Sequence, residues 1–385
     1  MKITFLGPAH PYRGGLAAFN ERLAREFSSE GKDVDICTFR LQYPGFLFPG
    51  KTQYTESPAP QGIKIVRLLN SINPINWIIT GFKIKKEQSD ILLIRYWLPF
   101  MAPSLGTVAR IVKSNKYTII ISILDNVIPH EMRRGDGILT KYFIRSIDGA
   151  IVLSNTVLYD LKLFRKDFPV NLSPHPLFDN YGTIIGRNEA LSALNLDPGY
   201  SYLLFFGFIR EYKGLDLLIK AFSDKRLRNR NLKLIVAGEF YKDDAPYRKL
   251  IREYNLENDI IVYDQFIKDS EVALFFSVSD LVVQPYKSAT QSGVTQIAFH
   301  FEKPILVTDV GGLREILQDG KCGYVVKPDP NEITEAIIDY FDNNRKSAFI
   351  RGIKQEKEKF SWKKMTASII EVFYKCLLEQ LIKAM

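Results

Sequence analysis

The chain has 385 residues, 46% of them hydrophobic and 25% charged, proportions that exclude a fibrous, disordered or membrane-embedded class and leave room for two substantial cores. Its formal net charge of +9 is uneven, with 23 Lys and Arg against 15 Asp and Glu in residues 1–180. A basic half suits an anionic surface or a phosphorylated substrate, whereas dispersed cations without a recognition motif argue against nucleic acid.

The N-terminus, "MKITFLGPAHPYRGG", has a strand-length apolar run but no extended apolar region or small-residue cleavage site. Cys37, Cys322 and Cys376 make no CxxC pair and no metal-ligand spacing, which fits a reducing compartment. The expectation is a cytoplasmic chain with no membrane span.

Short Val/Ile/Leu-rich runs alternate with helical periodicity from end to end. In chain order the strand candidates are "KITFLG", "DVDICTF", "KIVRL", "DILLIRYW", "YTIIISIL" and "GAIVLS", then "YLLFFGF", "NLKLIVAG", "DIIVYDQF", "DLVVQPY", "PILVTDV" and "GYVVKP". Continuous apolar strands separated by helices predict parallel sheets covered on both faces, hence two doubly wound, Rossmann-like α/β domains. Pro, Gly and Asn interrupt the pattern over residues 173–201, so the domains are read as 1–178 and 179–361. In the tail, Trp362, Met365, Ile369, Val372, Phe373 and Cys376 recur near helical spacing, predicting an amphipathic helix.

Candidate chemistry also follows chain order. "FLFPGK", "INWIITGFKIKKEQ" and "RYWLPFM" are expected to expose aromatics near lysines in the basic half, which suits a protein resting on an anionic leaflet. "ISILDNVIPHEMRRG" places Asp125, Asn126, His130 and Glu131 just past a continuous strand, on the carboxyl-end loop where open α/β sheets bind ligands. "FFGFIREYKGLDLLIKAF" ends its apolar run at Gly207, then sets Arg210 and Lys213 before a helix whose Leu215, Leu218, Ile219 and Phe222 share one face. Two cations at a helix N-terminus point to a bound phosphate.

"QPYKSATQSGVTQIAFHFEKP" predicts a second such turn. Val294, Ile297, Ala298 and Phe301 mark a buried face, while Ser292, Thr295 and Gln296 fall off it and would meet a ligand. "TDVGGLREIL", with Gly311 and Gly312, predicts a third turn at the same edge. His10, His175 and His300 form no pair with ligand spacing, and the "DVD" at 33–35 lies inside a strand candidate; no metal site is expected.

"PYRGGLAAFNERLA", "FGFIREYKGLDLLIKAF", "IVAGE", "KPILVTDVGGLREIL" and the terminal "FSW", in this order, resemble the family 4 glycosyltransferases of the GT-B fold. The resemblance implies two Rossmann-like domains facing a cleft, with a C-terminal helix, 362–385, returning to the first. It implies a nucleotide-diphosphate sugar as donor substrate and no further cofactor. It implies transfer with retention to a saccharide or lipid-linked acceptor in surface polysaccharide or glycolipid synthesis, from a cytoplasmic position that includes the inner face of the membrane.

Carried over by residue, Arg210 and Lys213 resemble the pair that neutralises the donor diphosphate, and His130 the active-site histidine beside Asp125. Gly14 and Gly15 resemble the glycine loop. Gly207, Glu239, Gln291, Ser292, Gly293, Val294, Thr295 and Gln296 complete the donor-binding set. The family's two glutamates eight positions apart fall on Ala289 and Ile297, neither of which hydrogen-bonds, so Gln296 or Thr295 is expected at the ribose, or Gln291 at the sugar. A nucleotide-sugar 2-epimerase and a non-catalytic nucleotide-sugar binder are the competing readings.

Overall fold

The computed structural model describes residues 1–45, 52–56, 58–129, 132–241, 243–289 and 292–384. His130, Glu131, Gln291 and the "FLFPGK" segment lie outside them. The chain divides into two compact units, 1–175 with 361–385, and 176–360.

In the first unit the elements are β1 (Lys2–Leu6), α1 (Gly15–Ser29), β2 (Asp33–Leu41), β3 (Lys64–Asn70), α2 (Pro74–Glu87), β4 (Ile91–Tyr96), α3 (Ala102–Lys113), β5 (Ile119–Leu124), α4 (Asp136–Ile144), β6 (Gly149–Val152), α5 (Asn155–Phe164) and β7 (Val170–Leu172). The strands form one parallel sheet in the order β3-β2-β1-β4-β5-β6-β7. All six residues of β4 and all six of β5 are buried, as central strands covered on both faces require. The three-residue β7 falls below the length at which an apolar run stands out, and it went unpredicted.

The second unit runs α6 (Arg187–Ala193), β8 (Ser201–Phe206), α7 (Leu215–Phe222), α8 (Lys225–Arg228), β9 (Leu232–Ala237), α9 (Ala245–Glu253), β10 (Ile260–Tyr263), α10 (Val272–Val278), β11 (Leu281–Gln284), α11 (Gly293–His300), β12 (Ile305–Thr308), α12 (Leu313–Ile316), β13 (Gly323–Val326), α13 (Pro330–Asp342) and α14 (Lys346–Glu356). Its sheet order is β10-β9-β8-β11-β12-β13. In each unit the order reverses after the first strand, at β1/β4 and β8/β11, the switch points where such sheets leave a crevice.

The last helix, α15 (Trp362–Ala384), belongs to the first unit. Met365, Ile369 and Val372 have no exposed surface, and burying each such side chain is worth about 1.5–3 kcal/mol. Gly149 on β6 permits the approach, since a Cβ there would stand 2.5 Å from Val372. Trp362 meets the ring of Phe19 edge-on at 5.1 Å. No helix among the described residues is long and apolar enough to cross a membrane.

Candidate active site

Sheet order brings the three predicted turns of the second unit side by side, because β8, β11 and β12 are neighbours. The β8–α7 turn is held against β11 by close backbone approach. Gly214 adopts φ +69°, and a Cβ there would lie 1.9 Å from the Pro285 carbonyl oxygen. Nearby, the Lys287 backbone N–H donates to the Tyr212 carbonyl at 2.7 Å. Only glycine satisfies both the left-handed backbone and the contact.

Within that turn the Lys213 ammonium lies over Gly207, 3.2 Å from where a Cβ would be, with Val294 of α11 at 3.7 Å from the same point. It stands 5.5 Å from the centre of the Tyr286 ring. Loss of hydration, reinforced by the charge of Arg210, pushes its pKa down to about 7. The Arg210 guanidinium stacks 3.6 Å over the Tyr241 ring. Two cations are thus assembled at the carboxyl end of β8, and Lys213 holds its proton at a cost that an incoming anion would offset.

Tyr286, which sequence reasoning missed, joins all three turns. Its carbonyl accepts from the Thr308 hydroxyl at 2.5 Å, and its own hydroxyl meets that of Ser292 at 3.3 Å. Ser292 in turn caps α11, accepting from the Val294 N–H at 3.2 Å.

α11 differs from expectation. Ser292, Thr295 and Gln296 are buried, the last two completely, because every residue from Val294 to Phe299 is covered. Packing on all sides leaves this helix no polar face. The Thr295 hydroxyl is committed to Gln284, whose amide nitrogen donates to it at 3.1 Å. Neither amide atom of Gln296 has a hydrogen-bond partner among the described residues. Ala289 and Ile297 are also buried.

Glu239, just past β9, is buried, and its carbonyl accepts from the Ile209 N–H at 2.9 Å. Glu302 lies beyond the end of α11 and pairs with Lys357 at 2.6 Å. In the third turn Gly312 precedes only the four-residue α12, and Asp309 pairs with Arg314 at 2.8 Å.

In the first unit, Gly14 takes φ +101° before α1, with none of the described residues within 4 Å of where a Cβ would be and no side-chain cap on the helix among them. Asp125 does follow β5, but its carboxylate is buried against Arg95 of β4, which donates to both oxygens from Nε and Nη2. The guanidinium also stacks 3.8 Å over the Phe19 ring, and its Nη1 has no partner among the described residues. Arg95 was legible in principle, since a cation inside the run "DILLIRYW" has to find a buried counter-charge. The expectation that "RYWLPFM" exposes aromatics is overturned. Tyr96 is buried as the last residue of a central strand, and Trp97 and Met101 are buried in the short connection from it to α3. His175 is buried against Phe19. Among the described residues no group of three or more His, Cys, Asp or Glu is close enough to hold a metal.

The family model of glycosyl transferases group 1 matches residues 186–356. An uncharacterized glycosyltransferase of Methanocaldococcus jannaschii is 26% identical over 381 residues, covering 97% of this chain and 98% of that one. Sucrose-phosphate synthase of Thermosynechococcus elongatus shares the fold at a TM-score of 0.75 and 17% identity over the whole of both chains. HepE of Anabaena, solved with UDP and glucose, does so at 0.72 and 15%, covering 97% of this chain and 99% of that one. Residues 186–356 are therefore similar to the glycosyl transferases group 1, within a chain of the GT-B fold.

Proposed function

We propose that the protein is a retaining, family 4-type glycosyltransferase. It moves a sugar from a nucleotide-diphosphate sugar to a saccharide or lipid-linked acceptor in surface polysaccharide or glycolipid synthesis, working in the cytoplasm at the inner membrane surface. The observation that carries this reading is the pair Arg210 and Lys213 at the β8/β11 switch point, with the Lys213 pKa pulled down to about 7. Such a pair is poised for an anion whose charge grows during the reaction. The bound UDP and glucose of the HepE structure support the donor class.

In the transfer the bond between the anomeric carbon and the β-phosphate oxygen breaks, and its electron pair stays on the departing nucleoside diphosphate. Arg210 and Lys213 stabilise that charge. The acceptor hydroxyl attacks the same face of the sugar, and its proton passes to the leaving phosphate oxygen, so no protein nucleophile is required. Gly207, Ser292, Gly293 and Val294 present backbone beside the phosphates, and Gly14 and Gly15 are assigned to donor binding. Glu239 lines the nucleotide side. Gln296, whose amide has no partner among the described residues, is a better ribose contact than Thr295, whose hydroxyl is already used. His130 is assigned to the donor sugar or the acceptor and Gln291 to the sugar, Asp125 stands with His130 in the catalytic set, and no divalent metal takes part.

A non-catalytic nucleotide-sugar binder is favoured by one observation, the buried Ala289 and Ile297 in the places of the family's glutamates. A thermal-shift screen of nucleotide sugars, followed by donor hydrolysis and product analysis of each hit in the wild type and Lys213→Ala, separates the readings. Transfer predicts a glycoside of retained configuration and a Lys213→Ala chain that turns over little donor. Binding without turnover marks the binder, an epimerised nucleotide sugar without glycoside marks a 2-epimerase, and no hit at all overturns the proposal.

A further inference from the structure

We infer that the outer face of α2 docks the protein on an anionic phospholipid leaflet. The inference rests on the membrane-surface reading above and names the element that makes the contact. Ile75, Ile78, Ile79 and Phe82 recur at i, i+3, i+4 and i+7 on α2, and each is 46–70% exposed. Ile72 continues the stripe just before the helix, at 50%. The opposite side of α2, through Thr80, Gly81 and Ile84, is buried. There the missing side chain of Gly81 lets α2 close onto Ile111 of α3, a Cβ being only 2.9 Å away. One apolar face is therefore explained by packing, and the other is not.

Charge selects the occupant. Lys86 extends the stripe one turn past Phe82, Lys83 flanks it, and both are exposed. The only carboxylate in α2, Glu87, is turned away and paired with Lys2 at 2.6 Å. Among the described residues the stripe thus carries cations and no anion. α3 also contacts α4, where Ile138 and Lys141 are exposed, although Asp136 stands in that helix's first turn. A helix with exposed isoleucines and phenylalanine edged by lysines matches a layer of acyl chains beneath anionic phosphates, with the apolar side chains inserted and the ammonium groups at headgroup level.

The test is flotation of the full chain with phosphatidylcholine vesicles, with and without about one-third phosphatidylglycerol, at low and high salt. The expected result is flotation only with the anionic vesicles, weakened by salt, and reduced at least ~10-fold in the double variant Ile75→Glu, Ile79→Glu. That variant should keep the wild-type unfolding midpoint and donor binding. No flotation at low salt, or undiminished flotation of the variant, overturns the inference. So does a wild-type dimer in sedimentation equilibrium that the variant dissolves, because the face would then be a contact between copies. Donor binding on the same samples separates this inference from the transferase reading. A chain that floats but binds no nucleotide sugar keeps its docking face, and one that binds donor but never floats loses it.

Discussion

Replacing Lys213 with methionine removes one charge from a poorly hydrated position and leaves the shape of the side chain nearly intact. In the folded chain the ammonium sits beside Arg210 with its pKa drawn from the ordinary 10.5 to about 7. The unfolded chain therefore holds the proton more tightly, and folding is penalised. The penalty is full below about pH 7 and shrinks as pH rises toward 10.5. Taken whole, the difference corresponds to roughly 4–5 kcal/mol. Because the side chain keeps some contact with water, screening reduces this to about 1–3 kcal/mol. Lys213→Met should accordingly be more stable than the wild type in urea at pH 6, with a smaller gain at pH 9. The same substitution deletes a charge-assisted contact to the donor diphosphate worth ~2–3 kcal/mol, about 30- to 150-fold in affinity. Calorimetric titration with a nucleotide sugar reads the second effect. A variant that is less stable at pH 6, or that binds donor as tightly as the wild type, would refute the reasoning.

Other substitutions probe the surrounding frame. Gly214→Ala meets the Pro285 carbonyl and a φ of +69°; a loss of roughly 2–4 kcal/mol in urea unfolding is expected, with donor binding falling alongside. Gln296→Leu removes two buried atoms without partners among the described residues, so the free chain should gain about 1–2 kcal/mol while donor affinity drops. A stability gain with unchanged donor affinity would take Gln296 off the ribose. Arg95→Ala leaves the buried Asp125 carboxylate without its counter-charge, and denaturation of the first unit should show a loss of about 3–5 kcal/mol. Activity in excess chelator should equal that of the untreated protein, and loss restored by added manganese would bring a metal into the mechanism.

Much of the scaffold can be read from local pattern. Apolar runs of strand length such as "YLLFFGF" and "NLKLIVAG" became β8 and β9, and the periodic Leu215, Leu218, Ile219 and Phe222 became the buried face of α7. Arg210 and Lys213 then stand where a strand end meets a helix start, which needs no long-range information. What escaped depends on contacts between distant segments. The fully buried polar residues of α11 could not be foreseen, since a helical wheel assumes one solvent face, and Phe178 and Phe360 pack against Gly293 and Phe299 from elsewhere in the chain. Tyr286 acquires its role only when β8, β11 and β12 come together. The aromatics after Arg95 looked exposed from composition, but Tyr96 ends a buried central strand and Trp97 is buried just past it, whereas "INWIITGFKIKKEQ" does carry an exposed apolar face, on α2.

The grip of Arg210 and Lys213 on the donor is best tested by a crystal structure of the protein with a bound nucleotide sugar. The account predicts diphosphate oxygens within about 3 Å of both the Arg210 guanidinium and the Lys213 ammonium. A diphosphate held elsewhere, beyond the reach of both side chains, would contradict it.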